Sequence, residues 1–431
     1  MNVSIITLGC SKNTVDSEKL AGILNEFGCK IIFESLEKAD VAIINTCGFI
    51  LDAKEESVDT ILNCIEFKKD KRRKLSKVYV FGCLVERNRE ELSEAIPEVD
   101  AWIGVNDIDA VAKYLVEDYK ALNSSAFRIV STPNHYAYLK VAEGCNKQCA
   151  FCAIPLIRGK HISRKKEDIL QEAKFLADNG FKEIILISQD LTYYGYDLYK
   201  SSELIDLTYK IASLGFQWVR LHYAHPNEIN EDIIKMFNNI NNLCKYLDIP
   251  LQHVSTSVLK RMKRNIDKQG TINLVKKIRE IVPEIAIRTT FVVGFPGETQ
   301  EDFEELVQFV KESRFDRLGV FAFSKEEGTP AAEMIDDVPE EVKQERKEKL
   351  LEIQQDISLQ RNQEKIGDIV KVIIDSKEID YYIGRTEFDS PEVDNEVIVF
   401  SDKDLLVGEF YNVLITDADY FDLIAEVTDE I

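Results

Sequence analysis

No stretch of the 431-residue chain approaches the roughly 18 consecutive apolar residues that a membrane helix needs. Its longest apolar runs are strand-sized, so no membrane association is expected. The opening residues, Met1 to Thr7, read as a strand and not as a signal peptide with a basic flank. Positive charge is scarce: 54 Lys and Arg stand against 76 Asp and Glu, a formal −22. Such a field repels phosphate backbones, so broad binding to RNA or DNA is not the expectation. There is no GxGxxG and no Walker loop, which removes the ordinary nucleotide-binding readings. With 45% hydrophobic and 30% charged residues, the composition also excludes a disordered or fibrous chain.

What is present falls into three segments, close to the count expected at roughly 150 residues per domain. Residues 1–122 alternate strand and helix. The β-branched runs 3–10, 41–47 and 77–83, with amphipathic segments at 14–27, 52–68 and 107–118, predict a doubly wound α/β domain. A polar stretch at 123–125 reads as a linker. Within 131–361, strand candidates at 137–144, 183–189, 218–224, 245–252, 285–294 and 317–324 alternate with helical periods. Six β/α units predict a partial barrel, short of the usual eight. A charged helix at 339–361 closes the segment and reads as a packing helix with a solvated face. Residues 362–431 hold five short strand runs between turns, which predicts a small antiparallel β-barrel. This last segment alone carries −14 of the −22.

Nine cysteines in a chain with no export signal point to metal ligation or thiol chemistry rather than to disulfides. Cys145, Cys149 and Cys152 form CxxxCxxC directly after a strand candidate. Structural zinc sites take four ligands, usually two CxxC pairs, and no second pair exists here. Three thiolates suit a cubane iron–sulfur cluster with one iron left open. Cys10, Cys47 and Cys83 end three successive strand candidates. That edge of an open α/β sheet is where ligands bind, which makes a second metal site the expectation. Cys29, Cys64 and Cys244 lack such placement and read as structural.

The segment Tyr138 to Cys145 together with CxxxCxxC resembles the signature of radical S-adenosylmethionine (SAM) enzymes. The resemblance implies a [4Fe-4S] cluster whose open iron chelates SAM and cleaves it to a 5′-deoxyadenosyl radical. Candidate cofactor contacts lie at strand ends: Ser188, Gln189 and Asp190, then Gln252 and His253, then Arg288 and Gly294. For each of these a structural role is an equal alternative, and Gly294 and Gly297 also suit a tight turn.

The three-segment plan resembles the methylthiotransferases, which join a three-cysteine α/β domain to a radical-SAM partial barrel and a TRAM barrel. Within that family, LGCSKNTVDSEKL (8–20), CAIPLIRG (152–159), SQDLTYYG (188–195) and RTTFVVGFPGET (288–299) resemble the RimO-like branch. The MiaB-like branch, which acts on tRNA adenosine, typically has GCQMN and QN at the corresponding places. The resemblance implies two [4Fe-4S] clusters, the N-terminal one holding a sulfide or polysulfide. One SAM would methylate that sulfur. The radical from a second would take hydrogen from the β-carbon of an aspartate in the small-subunit ribosomal protein S-twelve, which then collects the methylthio group. An external electron donor and a cytoplasmic location follow from the reduced clusters. The acidic C-terminal segment suits docking of a basic ribosomal protein and not of tRNA.

Overall fold

The computed structural model describes residues 1–116, 119–120 and 128–428. The linker expected at 123–125 lies outside the described residues. In the N-terminal domain β1 (Asn2–Thr7), α1 (Ser11–Glu26), β2 (Lys30–Phe33), β3 (Val41–Thr46), α2 (Leu51–Lys69), β4 (Lys77–Gly82), α3 (Cys83–Ala95), β5 (Ala101–Gly104) and α4 (Ile108–Leu115) follow in order. The strands form a parallel sheet ordered β2-β1-β3-β4-β5. Successive side chains of a strand point to opposite faces, and β3 shows the result. Val41 and Ile43 pack with Leu20, Leu24 and Val111 on one side, while Ala42 and Ile44 pack with Ile61 and Val85 on the other. Strand β5 was not among the sequence expectations. It is four residues long and borders the sheet, so it carries too short a run to show a period.

The central domain continues with β6 (Tyr136–Lys140), β7 (Ala142–Glu143), α5 (Ile154–Ile157), β8 (Ile162–Ser163), α6 (Lys166–Asp178), β9 (Glu183–Ile187), α7 (Tyr196–Tyr199), α8 (Leu204–Ala212), β10 (Trp218–Leu221), α9 (Glu231–Asn239), β11 (Leu243–Asp248), α10 (Thr256–Arg261), α11 (Lys268–Ile281), β12 (Ala286–Val293), α12 (Gln300–Ser313), β13 (Arg317–Ala322) and α13 (Glu340–Gln363). Its six long strands pair in parallel in the order β13-β12-β11-β10-β9-β6, the sequential arrangement of a partial barrel. Leu350, Ile353 and Ile357 of α13 join the barrel core. This helix is therefore a packing helix despite its charge, with three apolar residues on one face of a 3.6-residue repeat.

The C-terminal domain is a closed five-stranded barrel of β14 (Ile369–Lys377), β15 (Tyr382–Arg385), β16 (Val397–Phe400), β17 (Phe410–Ala418) and β18 (Leu423–Val427). Four of its neighbour pairs are antiparallel, but β16 and β18 run parallel. The hairpin of β17 and β18 returns the chain in the direction of β16, so closure makes this pair parallel. No helix among the described residues is long and apolar enough to cross a membrane.

The C-terminal barrel grips the central one through buried and half-buried charge. Glu183 of β9 pairs with Arg220 of β10 at 2.7 Å and with Arg385 of β15 at 2.9 Å. Arg317 pairs with Asp389, and Arg288 with Asp394 at 3.2 Å. The hydroxyls of Tyr136 and Tyr138 donate to Glu392 at 3.0 and 2.9 Å. Removing one member of a buried ion pair leaves an uncompensated charge, at a cost of about 3–5 kcal/mol. Glu183→Ala, which takes the one carboxylate partner from Arg220 and leaves Arg385 with Asp375 alone, is expected to destabilise the chain by about that amount, read as a fall in the denaturation midpoint.

Candidate active site between two cysteine triads

Strands β1, β3 and β4 are neighbours in register, with Thr7 opposite Asn45 and Thr46 opposite Gly82. Their C-terminal ends therefore deliver Cys10, Cys47 and Cys83 to one edge of the sheet. Cys10 caps α1, Cys47 follows β3 and Cys83 opens α3. The loops approach closely: at Gly9, with φ +92°, a Cβ would lie 2.7 Å from the Cys47 Cβ and 2.9 Å from its Sγ. Only glycine allows both that backbone and that contact. Cys10 is exposed, Cys47 half-buried and Cys83 buried. Burial pushes the Cys83 thiol up to about 12, against the pull of Arg158, and the charges of Cys10 and Cys47 act on it in turn.

The second triad sits on the loop after β6. Gly144, with φ +73°, turns the chain so tightly that a Cβ would meet the Lys160 carbonyl oxygen at 2.2 Å. The Cys145 N–H donates to the Gly159 carbonyl and the Cys152 N–H to the Cys149 carbonyl, both at 3.1 Å. Arg264 donates to the Cys149 Sγ at 3.2 Å. Burial pushes Cys145 up to about 11 and Cys152 up to about 12, and each feels the charge of Cys149. All six cysteines are free of disulfides. Among the described residues no three Cys, His, Asp or Glu are placed to share a single metal ion. A cubane cluster binds each thiolate through a different iron, so its thiols need not meet at one point. The donor set of three soft thiols per site fits iron–sulfur ligation.

The SAM-contact candidates divide into three groups. Ser188, Gln189 and Asp190 follow β9; Ser188 Oγ and Gln189 Oε1 are buried without a hydrogen-bond partner, and Asp190 Oδ2 has only the Lys147 ammonium, 3.7 Å away. Orphaned buried polar atoms are costly, and two in consecutive residues beside the Asp190 carboxylate fit a polar ligand. Asp190 is anchored by Thr192, whose N–H donates to its Oδ1 at 3.1 Å, while burial raises its carboxyl. Gln252, at φ +74°, lines an apolar cavity of about 170 Å³ with Phe49, Phe151, Thr290 and Phe323. Phe49 lies two residues after Cys47 and Phe151 between Cys149 and Cys152, so the cavity is lined by chain neighbours of both triads, though by none of the cysteines themselves. His253 is fully buried; burial pushes it down to about 3, and its Nδ1 accepts from the Ser255 N–H at 3.0 Å. The other two candidates are engaged elsewhere. Arg288 is tied to Asp248 and to Asp394 of the C-terminal domain. Gly294 turns at φ +71°, where a Cβ would run into Lys343 of α13 at 2.2 Å.

Sequence reasoning missed the residues that join the triads. Asn13 and Asp16 on α1, Lys140 on β6, Glu143 on β7 and Arg158 after α5 form one mostly buried network between the domains. Gln189 joins it by donating to Glu143 at 2.9 Å. The available signal was the run of polar residues on the inward face of α1, where Asn13, Asp16, Ser17 and Glu18 are all buried.

Comparison with known proteins agrees with this arrangement domain by domain. Residues 139–310 match the Radical SAM superfamily, residues 2–104 the Uncharacterized protein family UPF0004, and residues 366–428 the TRAM domain. Among solved structures, the radical SAM methyltransferase TsrM from Kitasatospora setae aligns with a TM-score of 0.56 at 12% identity, covering 77% of this chain and 76% of that one. The cobalamin-dependent radical SAM enzyme OxsB aligns at 0.52 and 14% identity, covering 83% of this chain and 56% of the other. These likenesses show the fold alone. Sequence relatives go further. The chain is 51% identical to "Ribosomal protein uS12 methylthiotransferase RimO" of Phocaeicola vulgatus, over 99% of both chains. It is 49% identical to the proteins of the same name from Cytophaga hutchinsonii, over 99% of this chain and 97% of that one, and from Flavobacterium psychrophilum, over 98% and 97%. With that identity sustained from end to end, the chain belongs to the RimO family of radical SAM methylthiotransferases.

Proposed function

We propose that the chain methylthiolates the β-carbon of an aspartate in ribosomal protein uS12, holding two [4Fe-4S] clusters on its two cysteine triads. When bound, the central cluster supplies the electron that cleaves SAM to a 5′-deoxyadenosyl radical, and the N-terminal one carries the sulfide or polysulfide that is methylated and transferred. The observation that carries this reading is the network between the triads: Arg158 touches Cys83 on one side and Glu143, two residues before Cys145, on the other. In this reading Cys145, Cys149 and Cys152 hold the first cluster, and Cys10, Cys47 and Cys83 the second. Ser188 and Gln189 offer their unpartnered oxygens, and Asp190 its carboxylate, to the amino group of SAM. The cavity beside Phe49 and Phe151 receives the aspartate-bearing loop and keeps water away from the reacting carbon. An external one-electron donor reduces the clusters, and the reduced cytoplasm suits them. Incubating the loaded enzyme separately with uS12 and with tRNA tests the choice of substrate. A methylthio increment on uS12 alone is expected; modified tRNA and unmodified uS12 would replace this reading with the tRNA one.

The acidic C-terminal domain docks the basic substrate, but with fewer charges than its composition suggests. Asp375, Asp389, Glu392 and Asp394 are turned toward His135, Arg317, the two tyrosines and Arg288. Deleting the domain would therefore strip partners from buried charges, and it is a poor test of docking. Asp402, Asp417, Asp419 and Glu426 are exposed. Replacing these four by their amides is expected to weaken uS12 binding about tenfold, since exposed pairs contribute up to about 1 kcal/mol each, and to flatten its salt dependence. Unchanged affinity in a titration at two salt concentrations would remove the docking role.

A further inference from the structure

Arg158 lies six residues after Cys152, yet its guanidinium belongs equally to the other domain. One terminal nitrogen, Nη1, donates to Asp16 Oδ2 at 2.9 Å and to Glu143 Oε1 at 3.0 Å. The other, Nη2, donates to Asn13 Oδ1 at 2.5 Å and reaches the Cys83 Sγ at 3.5 Å. The side chain is 2% exposed. Lys140 pairs with the same two carboxylates, so in this group of four two cations face two anions, with the Lys12 ammonium also close enough to act on Arg158 and Glu143. Asn13, held by Arg158, also donates to the carbonyls of Leu8 at 2.7 Å and Thr46 at 3.2 Å, next to Cys10 and Cys47. Glu143 receives Gln189 as well, beside the orphaned atoms after β9. One planar fork thus connects the loops of Cys10, Cys47 and Cys83 with the loop that starts at Cys145. A guanidinium that donates from both terminal nitrogens fixes orientation as well as charge, which a lysine at the same place would not.

We propose that Arg158 is a positioning residue that sets the register between the two cysteine triads and, through its contact with Cys83, tunes the cluster held by the N-terminal triad. The proposal rests on the two-cluster reading above. Reduction adds negative charge to a cluster, and hydrogen bonds to its sulfurs are among the factors that set its potential. An N–H donor and a cation beside Cys83 both favour the reduced form. Loss of Arg158 also leaves the local group with one negative charge in excess.

The test uses the full-length chain with Cys145, Cys149 and Cys152 changed to alanine, so that only the N-terminal cluster is loaded. Its midpoint potential is measured by titration under EPR detection in that background alone and with Arg158→Gln or Arg158→Lys added. The potential is expected to fall in Arg158→Gln and to fall by less in Arg158→Lys, which keeps the cation but loses the fork. A merely structural ion pair would leave the potential of a loaded cluster where it was. In the chain with all six cysteines, Arg158→Lys is expected to form several-fold more 5′-deoxyadenosine per methylthiolated product, because the sulfur is out of register with the radical. Should Arg158→Gln fail to fold, Arg158→Lys decides through both readouts. A parental potential together with parental coupling in Arg158→Lys would overturn the proposal. Absence of iron from the alanine background itself would instead overturn the two-cluster reading on which it rests.

Discussion

Alanine at Cys145, Cys149 and Cys152 together is expected to abolish 5′-deoxyadenosine formation, to below the detection limit of chromatography on a SAM-fed, chemically reduced sample. The loop from Gly144 to Cys152 is held by backbone contacts to Gly159 and Met262, so the substitutions leave its fold in place and remove only its thiols. Those thiols do little for stability. Two of them are kept protonated by burial, well above the ordinary thiol value. Buried thiols of this kind are unreactive until a metal deprotonates them. In the proposed reading, a loop with no thiol ligands would hold no iron, and SAM at Ser188, Gln189 and Asp190 would have no source of an electron. Methylthio transfer to uS12 fails in consequence. Persisting 5′-deoxyadenosine would mean that SAM is cleaved elsewhere.

Alanine at Cys10, Cys47 and Cys83 should separate the two activities: SAM cleavage continues while the methylthiolated product disappears. The N-terminal sheet has its own cores on both faces, and none of the six-stranded barrel depends on these thiols. Of the contacts made by Arg158, only the one to Cys83 is lost; Asp16, Asn13 and Glu143 remain. The loop of the central triad therefore keeps its support. The measurement is 5′-deoxyadenosine by chromatography beside uS12 by mass spectrometry on the same reaction. Product formed by this variant would show that the sulfur does not come from the N-terminal triad.

The legible part of this molecule lay in its regular elements and its cysteines. Six strand candidates became the six strands of the partial barrel because each is a buried β-branched or apolar run bounded by helical periods. Cys10, Cys47 and Cys83 could be grouped because strand ends in a parallel sheet share an edge, and the sheet order makes β1, β3 and β4 adjacent. The charged residues were another matter. Glu392 and Asp394 look in sequence like any acid of an exposed loop, and only the folded chain brings them to Tyr138 and Arg288, some hundred residues or more away. Arg158 sits in the RimO-like segment 152–159, but the role proposed for it depends on Asn13 and Asp16 from another domain. Arg288, a candidate SAM contact by position on its strand, is occupied by carboxylates of β11 and the C-terminal domain. Strand position predicts which face a side chain takes, not which partner waits there.

The central claim is that six cysteines hold two iron–sulfur clusters with separate tasks. Iron and acid-labile sulfide, quantified by Mössbauer spectroscopy and chemical assay after anaerobic reconstitution, test it most directly. About eight iron and at least eight sulfide per chain are expected, as two [4Fe-4S] clusters require, and about four iron in either triple-alanine variant. Four iron atoms in the parent chain, or zinc in place of iron, would contradict it.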